Sequence, residues 1–395
     1  MSLIGQSVTV LGAGVAGLAV ARALALRGAQ VVVLEQADAV REVGAGLQVS
    51  PNGAAVLRAL GLGEALEAAS TRALAVELRD GPSGDLVTRL DMAGTDATQT
   101  GGYHFVHRAD LIALLLEGAR DAGVELRLLQ KIASVDLSGA RPGWQNAQGA
   151  TGEAGLLIGA DGLHSTLRTA LTGKVAPFFT HQVAWRALIP EVPGVPQVAE
   201  VHMAPGRHLV SYPLRGGTLR NIVAVEERRT WVEEGWTMRD DSMDMQLAFQ
   251  GFSPRVRGWL EQVEDVWLWG LFRHPVAKQW FAVQDQGAAV ILGDAAHPTL
   301  PFLAQGACMA LEDAWVLAEC LATHDSLAAA LAAFQAARLP RCSRIVAAAT
   351  MNARLYHLSG LTRGVAHLGL RLGSVVAPGA ALKRFDWLYR HDVTA

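Results

Sequence analysis

Val8-Thr9-Val10-Leu11-Gly12-Ala13-Gly14-Val15-Ala16-Gly17 begins as a β-branched run and breaks into closely spaced glycines, and its reading decides the fold. Ala16 to Leu26 continue as an alanine- and leucine-rich helical pattern, and Val31 to Leu34 form a second β run. Strand, glycine turn, helix and strand make a βαβ unit. In that setting Gly12 permits the tight turn, Gly14 lets a pyrophosphate approach the backbone, and Gly17 lets helix and strand pack closely. Free amides at the helix start then face phosphate charge. Glu35 closes the second strand, where a carboxylate can accept hydrogen bonds from a ribose 2′-hydroxyl, which argues against a 2′-phosphate.

The rest of the chain gives this unit a large, two-domain setting. Its 395 residues are 51% hydrophobic and 18% charged, which excludes disorder. The formal net charge of −3 offers no electrostatic footprint for nucleic acid. Cys308, Cys320 and Cys342 are too few and too far apart for a disulfide framework or a paired metal site, so no metal is expected. No cationic segment precedes the glycine-broken N-terminus, which reads poorly as a signal peptide, and Arg363 and Arg371 interrupt the most lipophilic late stretch. The expectation is a cytoplasmic protein with no membrane span.

Ser50, Pro51 and Asn52 supply cap and first-turn chemistry for a helix to about Leu60, and His107 to Ala122 read as another, followed by a strand at Val124 to Leu128. Gly139 to Gly152 read as a turn-rich connection before a short buried strand, Leu156 to Ile158. Val183–Ile189, Val198–His202, His208–Tyr212 and Asn221–Glu226 then look like strands with no helices between them, hence an antiparallel sheet. Alternation returns with the strand Ala288 to Leu292 and helical patterns over about 305–321 and 326–350. The predicted architecture is α/β: a Rossmann-like domain from residues 1–72, 102–174 and 282–350, an inserted mixed or antiparallel substrate domain from 73–101 and 175–281, and a helical segment over 351–395.

Two further motifs sit at strand ends: Gly159-Ala160-Asp161-Gly162, followed by Ser165 and Arg168, and Gly293-Asp294-Ala295-Ala296-His297-Pro298. With these three motifs in this order, the chain resembles the aromatic-ring hydroxylase family of FAD-dependent monooxygenases, over nearly its whole length. The form Ala304-Gln305-Gly306-Ala307-Cys308-Met309-Ala310 is similar to the branch holding 3-hydroxybenzoate 6-hydroxylase and 6-hydroxynicotinate 3-monooxygenase, and the ending Phe385-Asp386-Trp387-Leu388-Tyr389 resembles that of salicylate hydroxylase-like members. It departs from the broad pattern in having Ala304 where glycine is usual and Cys308 where asparagine is common.

The resemblance implies FAD as cofactor, NADH or NADPH as transient co-substrate, O2, and a small phenolic or heteroaromatic acid hydroxylated through a flavin C4a-hydroperoxide. It also implies roles at matching positions. Glu35 binds the adenosine ribose, and Arg41 and Arg108 lie along the FAD. Gln48 stands in the adjoining Gly-Ala-Gly segment, where the hydroxynicotinate enzymes carry histidine. Asp161 serves pyrophosphate and nicotinamide cofactor, Asp294 accepts from the ribityl chain, and Pro301 lies near the reactive flavin carbon. The amides of Gly306 and Ala307, at the start of a long helix, point at the pyrimidine edge of the flavin. Cys308 is then a packing residue.

His208 and Tyr212 stand four apart in a strand, so both side chains share one face. In the resembled enzymes the matching pair faces the substrate and helps deprotonate its ring hydroxyl, chemistry that a neutral imidazole suits near neutral pH. Gln305 either holds the substrate or caps its helix. A redox CxxxxC pair and a second GxGxxG are absent, against disulfide-reductase-like flavoproteins, and Trp267-Leu268-Trp269-Gly270-Leu271 departs from the halogenase pattern. An epoxidase or hydroxylase of a larger polycyclic or isoprenoid substrate, and a nicotinamide dehydrogenase or dinucleotide sensor, remain as alternatives. The molecule is expected to be a monomer or homodimer.

Overall fold

The computed structural model describes residues 2–40, 45–92, 101–230, 232, 234, 238–376 and 379–395. The βαβ reading holds: strands Ser7–Leu11 and Gln30–Leu34 pair in parallel around the helix Val15–Ala25. Their sheet has six strands, in the spatial order Phe281–Gln284, Gly287–Ile291, Leu156–Gly159, Ser7–Leu11, Gln30–Leu34, Glu125–Arg127. All neighbours are parallel except the first pair. The four central strands are near-continuous apolar runs, as expected of parallel strands covered on both faces. Val10, Val33, Ile158 and Val290 are fully buried, and each such side chain contributes roughly 1.5–3 kcal/mol by leaving water.

The second sheet has eight strands, in the order Arg239–Asp240, Val266–Arg273, Phe178–Pro190, Leu219–Glu227, Arg207–Leu214, Val198–Ala204, Ala75–Asp80, Leu86–Asp91. It is antiparallel except where Val198–Ala204 runs parallel to Ala75–Asp80, so the sheet is mixed. A small sheet of Gly46–Val49, His104–His107 and Ser70–Arg72 lies between the two and joins them: the Gly46 amide donates to Asn221 Oδ1 at 2.7 Å.

The structure departs from the sequence reading in two places. Residues 139–152 contribute to a three-stranded antiparallel sheet, Ile132–Asp136, Gly143–Asn146 and Thr151–Glu153. These strands are short and mostly exposed, so they leave little apolar alternation to read. The last long helix of the first domain, Leu327–Tyr356, runs beyond residue 350 and carries Pro340 within it. Helix Gly360–Val376 follows, and its Leu361, Val365, Leu368, Leu372 and Val376 form an exposed apolar stripe. No helix among the described residues is long and apolar enough to cross a membrane.

Candidate active site

The three motif stretches meet at the carboxyl ends of the parallel strands, where doubly wound sheets bind ligands. Gly12, at φ +96°, turns the chain so tightly that an added Cβ would lie 2.6 Å from the Ala160 carbonyl oxygen. A Cβ on Gly17 would lie 1.9 Å from the Gly12 carbonyl, whereas one on Gly14 would meet no protein atom within 4 Å. Thus Gly12 and Gly17 serve packing, and Gly14 borders open space at the helix start. The third stretch closes on the same helix: a Cβ on Gly293 would lie 2.9 Å from Ala16.

Carboxylates edge this cradle. Glu35 accepts from the Ala13 amide at 2.7 Å and the Ala37 amide at 2.9 Å, which ties the end of the second strand to the glycine turn. Asp161 accepts from the Thr166 amide and hydroxyl at 2.8 and 3.0 Å through Oδ2, while its buried Oδ1 has no protein partner. Burial raises its carboxyl pKa against those hydrogen bonds. Asp294 is enclosed by protein, yet its side chain stays open to the crevice. Enclosure raises its pKa, while the charges of His297 and Arg108 oppose the rise. Since water reaches the carboxyl, its charge is screened and we read it as an anion facing the crevice. Arg108 begins the helix Arg108–Asp121, and its amide donates to Ala45. Arg41 lies outside the described residues.

An orphaned carboxylate oxygen, an open acidic side chain and a glycine turn with room above it fit a dinucleotide with ribityl and phosphate groups. The Gly293 turn is held from below. Asp313 Oδ2 accepts from the Gly293 amide at 3.0 Å and contacts His297 Nε2 at 2.5 Å, while Oδ1 accepts from Arg338 Nε at 2.7 Å. Burial alone would raise Asp313 and lower His297, but their attraction reverses both: Asp313 sits at about 2 and His297 well above the imidazole range. Cys342 joins them to bring possible ligand atoms within 4.8 Å of one another. Arg338 already places a fixed cation on this carboxylate, so the cluster reads as an ion-pair network.

Pro301 starts the turn Pro301–Leu303, and Ala304 follows in the left-handed region at φ +52°, a conformation that glycine adopts more easily. Gly306 begins the 18-residue helix Gly306–Thr323, with Ala307 after it, so unpaired amides open towards the crevice end. Gln305 makes no side-chain cap. Its amide donates to Ser50 Oγ at 2.8 Å and its carbonyl accepts from Asn52 at 3.1 Å, tying this helix to the helix Pro51–Ala59. Cys308 packs against Ser50, and burial pushes its thiol up to about 11, the state of an inert core cysteine.

His208, Val210 and Tyr212 lie on the face of the large sheet that meets the first domain. Phe302, beside Pro301, packs on the His208 ring at 5.4 Å. Tyr212 stacks on Phe105 at 5.0 Å and is influenced by Gln48, which accepts from the Tyr103 hydroxyl at 2.6 Å. Gln48 therefore stands beside the tyrosine of the sheet face. Burial raises the Tyr212 hydroxyl, and burial beside His357 holds His208 well below the ordinary imidazole range, so one stays protonated and the other neutral.

Register adds residues that the sequence reading missed. Arg186 is opposite Val223, which is opposite Val210, so the guanidinium shares the His208 and Tyr212 face, and it stacks over Trp269 at 4.5 Å. His357 contacts His208 from the end of the long helix. The alternation Val183 to Ile189 showed that Arg186 was on one face, but only the packing of the sheets says which face meets the cofactor domain. Surface hollows of about 440 and 310 Å³ lie elsewhere and are lined by none of the motif residues.

Comparison with known proteins agrees with the fold and with FAD as cofactor. The family described as FAD binding domain matches residues 6–349. The chain is 32% identical to a 3-hydroxybenzoate 6-hydroxylase of Klebsiella oxytoca, over 96% of this chain and 95% of that one. It is 31% identical to a 6-hydroxynicotinate 3-monooxygenase of Pseudomonas fluorescens, over 86% and 89%. In fold it matches a salicylate hydroxylase solved as a substrate complex, with TM-score 0.80 at 23% identity over 98% and 96% of the two chains. The chain is an FAD-dependent enzyme of the aromatic hydroxylase type with NADH or NADPH as co-substrate, and it belongs to the FAD binding domain family of flavoprotein monooxygenases.

Proposed function

We propose that this enzyme hydroxylates a small aromatic acid bearing a ring hydroxyl, of the salicylate or 3-hydroxybenzoate kind, at the junction of an FAD domain (1–72, 102–174, 282–350) and a substrate domain (73–101, 175–281), with residues 351–395 as a helical appendage. The observation that carries the reading is the joint presence of His208, Tyr212 and Arg186 on one sheet face beside the Pro301 turn. The names of the relatives, hydroxylases of hydroxybenzoate and hydroxynicotinate, support the same substrate class.

FAD held there would supply a hydride acceptor for NADH or NADPH and the means to activate O2 for electrophilic transfer of one oxygen atom. Gly14 would admit its pyrophosphate on the turn that Gly12 and Gly17 shape, Glu35 would hold the adenosine ribose, Arg41, Arg108 and Asp161 would line the diphosphate region, and Asp294 would meet the ribityl chain. The amides of Gly306 and Ala307 would favour negative charge on the reduced ring by about 0.3–1 kcal/mol. Arg186 offers a carboxylate partner whose fork geometry suits two oxygens. His208, neutral because it is buried, accepts the ring hydroxyl proton, and the ring becomes a better nucleophile. Tyr212 keeps its proton and donates a hydrogen bond, while Gln48 orients it and Gln305 fixes the helix behind. Pro301 and Phe302 shield the reacting edge from water.

The test is a screen of salicylate, 3- and 4-hydroxybenzoate and 6-hydroxynicotinate for stimulated NADH or NADPH oxidation, with product analysis. One acid is expected to give hydroxylated product in proportion to reductant consumed. Stimulation by none of them, together with turnover of a polycyclic or isoprenoid compound, would overturn the reading.

A further inference from the structure

His208 is the inner end of a chain of ionisable groups. Its Nδ1 lies 2.7 Å from Nε2 of His357, and Nδ1 of His357 lies 2.8 Å from a carboxylate oxygen of Glu227. Exposure rises along the chain: His208 is 1% exposed, and the side chains of His357 and Glu227 are 3% and 53% exposed. The backbone fixes this line. The Glu227 amide donates to the Gly206 carbonyl at 2.8 Å, and the Gly206 amide donates to the His357 carbonyl at 3.5 Å. Gly206 precedes the strand that carries His208, and Tyr356 packs on the His208 ring at 5.1 Å.

With both imidazoles neutral, the hydrogens have one consistent arrangement. An ionised carboxylate only accepts, so His357 carries its hydrogen on Nδ1 and its Nε2 is bare. That nitrogen accepts from His208 Nδ1–H, which leaves His208 Nε2 bare and ready to take a proton. Gln182 also approaches His357 Nδ1, at 3.4 Å, a longer contact than that of the carboxylate.

We propose that His208, His357 and Glu227 form a proton relay that carries the proton of the substrate's ring hydroxyl from the sheet face to solvent. The proposal rests on the reading that the substrate is a hydroxylated aromatic acid. In the step, the substrate O–H bond breaks as an N–H bond forms at His208 Nε2. The Nδ1 proton of His208 passes to His357 Nε2, the Nδ1 proton of His357 passes to Glu227, and Glu227 releases it to water. No electrons change hands, and the negative charge on the substrate's ring oxygen is the one new charge left inside. The reverse passage returns a proton to the product. A relay is needed because burial disfavours an imidazolium at His208, so a proton kept there would be costly. Around His357, Arg207 also disfavours a cation, Glu227 favours one, and Gln182 and Tyr356 are neutral at working pH.

The experiment uses the FAD-loaded full chain with the acid that the wild type hydroxylates in the screen. His357→Gln is expected to slow hydroxylation about tenfold or more, within the range of general acid–base effects. FAD affinity and the rate of flavin reduction by NADH should hold. The solvent deuterium isotope effect on product formation should grow, and the acid limb of the pH profile should move. Glu227→Gln should lose less and recover with added acetate, and Glu227→Asp should retain the rate. Because Glu227 is exposed, its variants carry the test if His357→Gln does not fold. If the wild type hydroxylates the acid and both relay variants keep its rate, pH profile and isotope effect, the relay is wrong and the substrate reading survives. If the wild type hydroxylates no hydroxylated acid, both fall.

Discussion

Two glycines three residues apart carry different loads. A side chain on Gly17 collides with the Gly12 carbonyl, so Gly17→Ala must move backbone, at a cost of about 1–3 kcal/mol or more. Gly14 has no protein atom within 4 Å of an added Cβ, so Gly14→Ala should melt like the wild type and yet bind FAD roughly tenfold more weakly, a loss of about 1.4 kcal/mol. Thermal unfolding of the two apoproteins, paired with flavin fluorescence titration, checks the contrast. Full FAD affinity in Gly14→Ala would mean that the pyrophosphate passes elsewhere. For Arg186, removal of a charge-assisted contact to the carboxylate is worth about 1.5–3 kcal/mol. Arg186→Gln should therefore raise KM for the acid about tenfold or more and change kcat much less. KM for its methyl ester, which lacks the charge, should hardly move, and equal losses for acid and ester would remove Arg186 from carboxylate binding.

At the scale of elements, the Gly293–Pro298 turn depends on a helix that packs beneath it. Asp313 holds the Gly293 amide, His297 and Arg338 together, all of them buried. Asp313→Asn leaves the buried His297 cation without its carboxylate and Arg338 with Glu312 alone, at 2.6 Å, and such a loss costs about 3–5 kcal/mol. The sign with pH follows from the depressed carboxyl. Its folded value is about 2, below the unfolded value of about 4, so the contribution is present above pH 4 and disappears as pH falls towards 2. His297 has the opposite sense: its folded value is raised, so its contribution is present below the ordinary imidazole range and is lost as pH rises through the raised value. Denaturant unfolding should show a wide gap between wild type and Asp313→Asn at pH 6 that narrows from pH 4 downward. A gap that is constant with pH would show that the asparagine loss comes from packing alone. This element also shows what a sequence conceals. The motif Gly293-Asp294 was legible as a strand end, but its tie to Asp313, twenty residues on, depends on how the helix Gly306–Thr323 docks.

For the whole molecule, the parts encoded by local period were legible and the parts encoded by register were not. The βαβ start, the antiparallel middle and the order of the three motifs follow from apolar spacing and glycine placement, and the sheets have that arrangement. Residues 139–152 escaped because exposed short strands have no apolar face to announce them. His357 escaped because it is 149 residues from His208, and nothing local links them. Arg186 was visible as a strand residue and not as a substrate-facing one. In the mechanism we propose, the sheet face beside the Pro301 turn activates the substrate ring while the first domain holds FAD independently. The direct measurement is a single-turnover comparison of wild type with His208→Ala, following flavin reduction by NADH and hydroxylated product per NADH consumed. We expect FAD binding and reduction to be retained, while product per NADH falls steeply and the balance leaves as hydrogen peroxide. Undiminished coupled hydroxylation in His208→Ala would contradict the account.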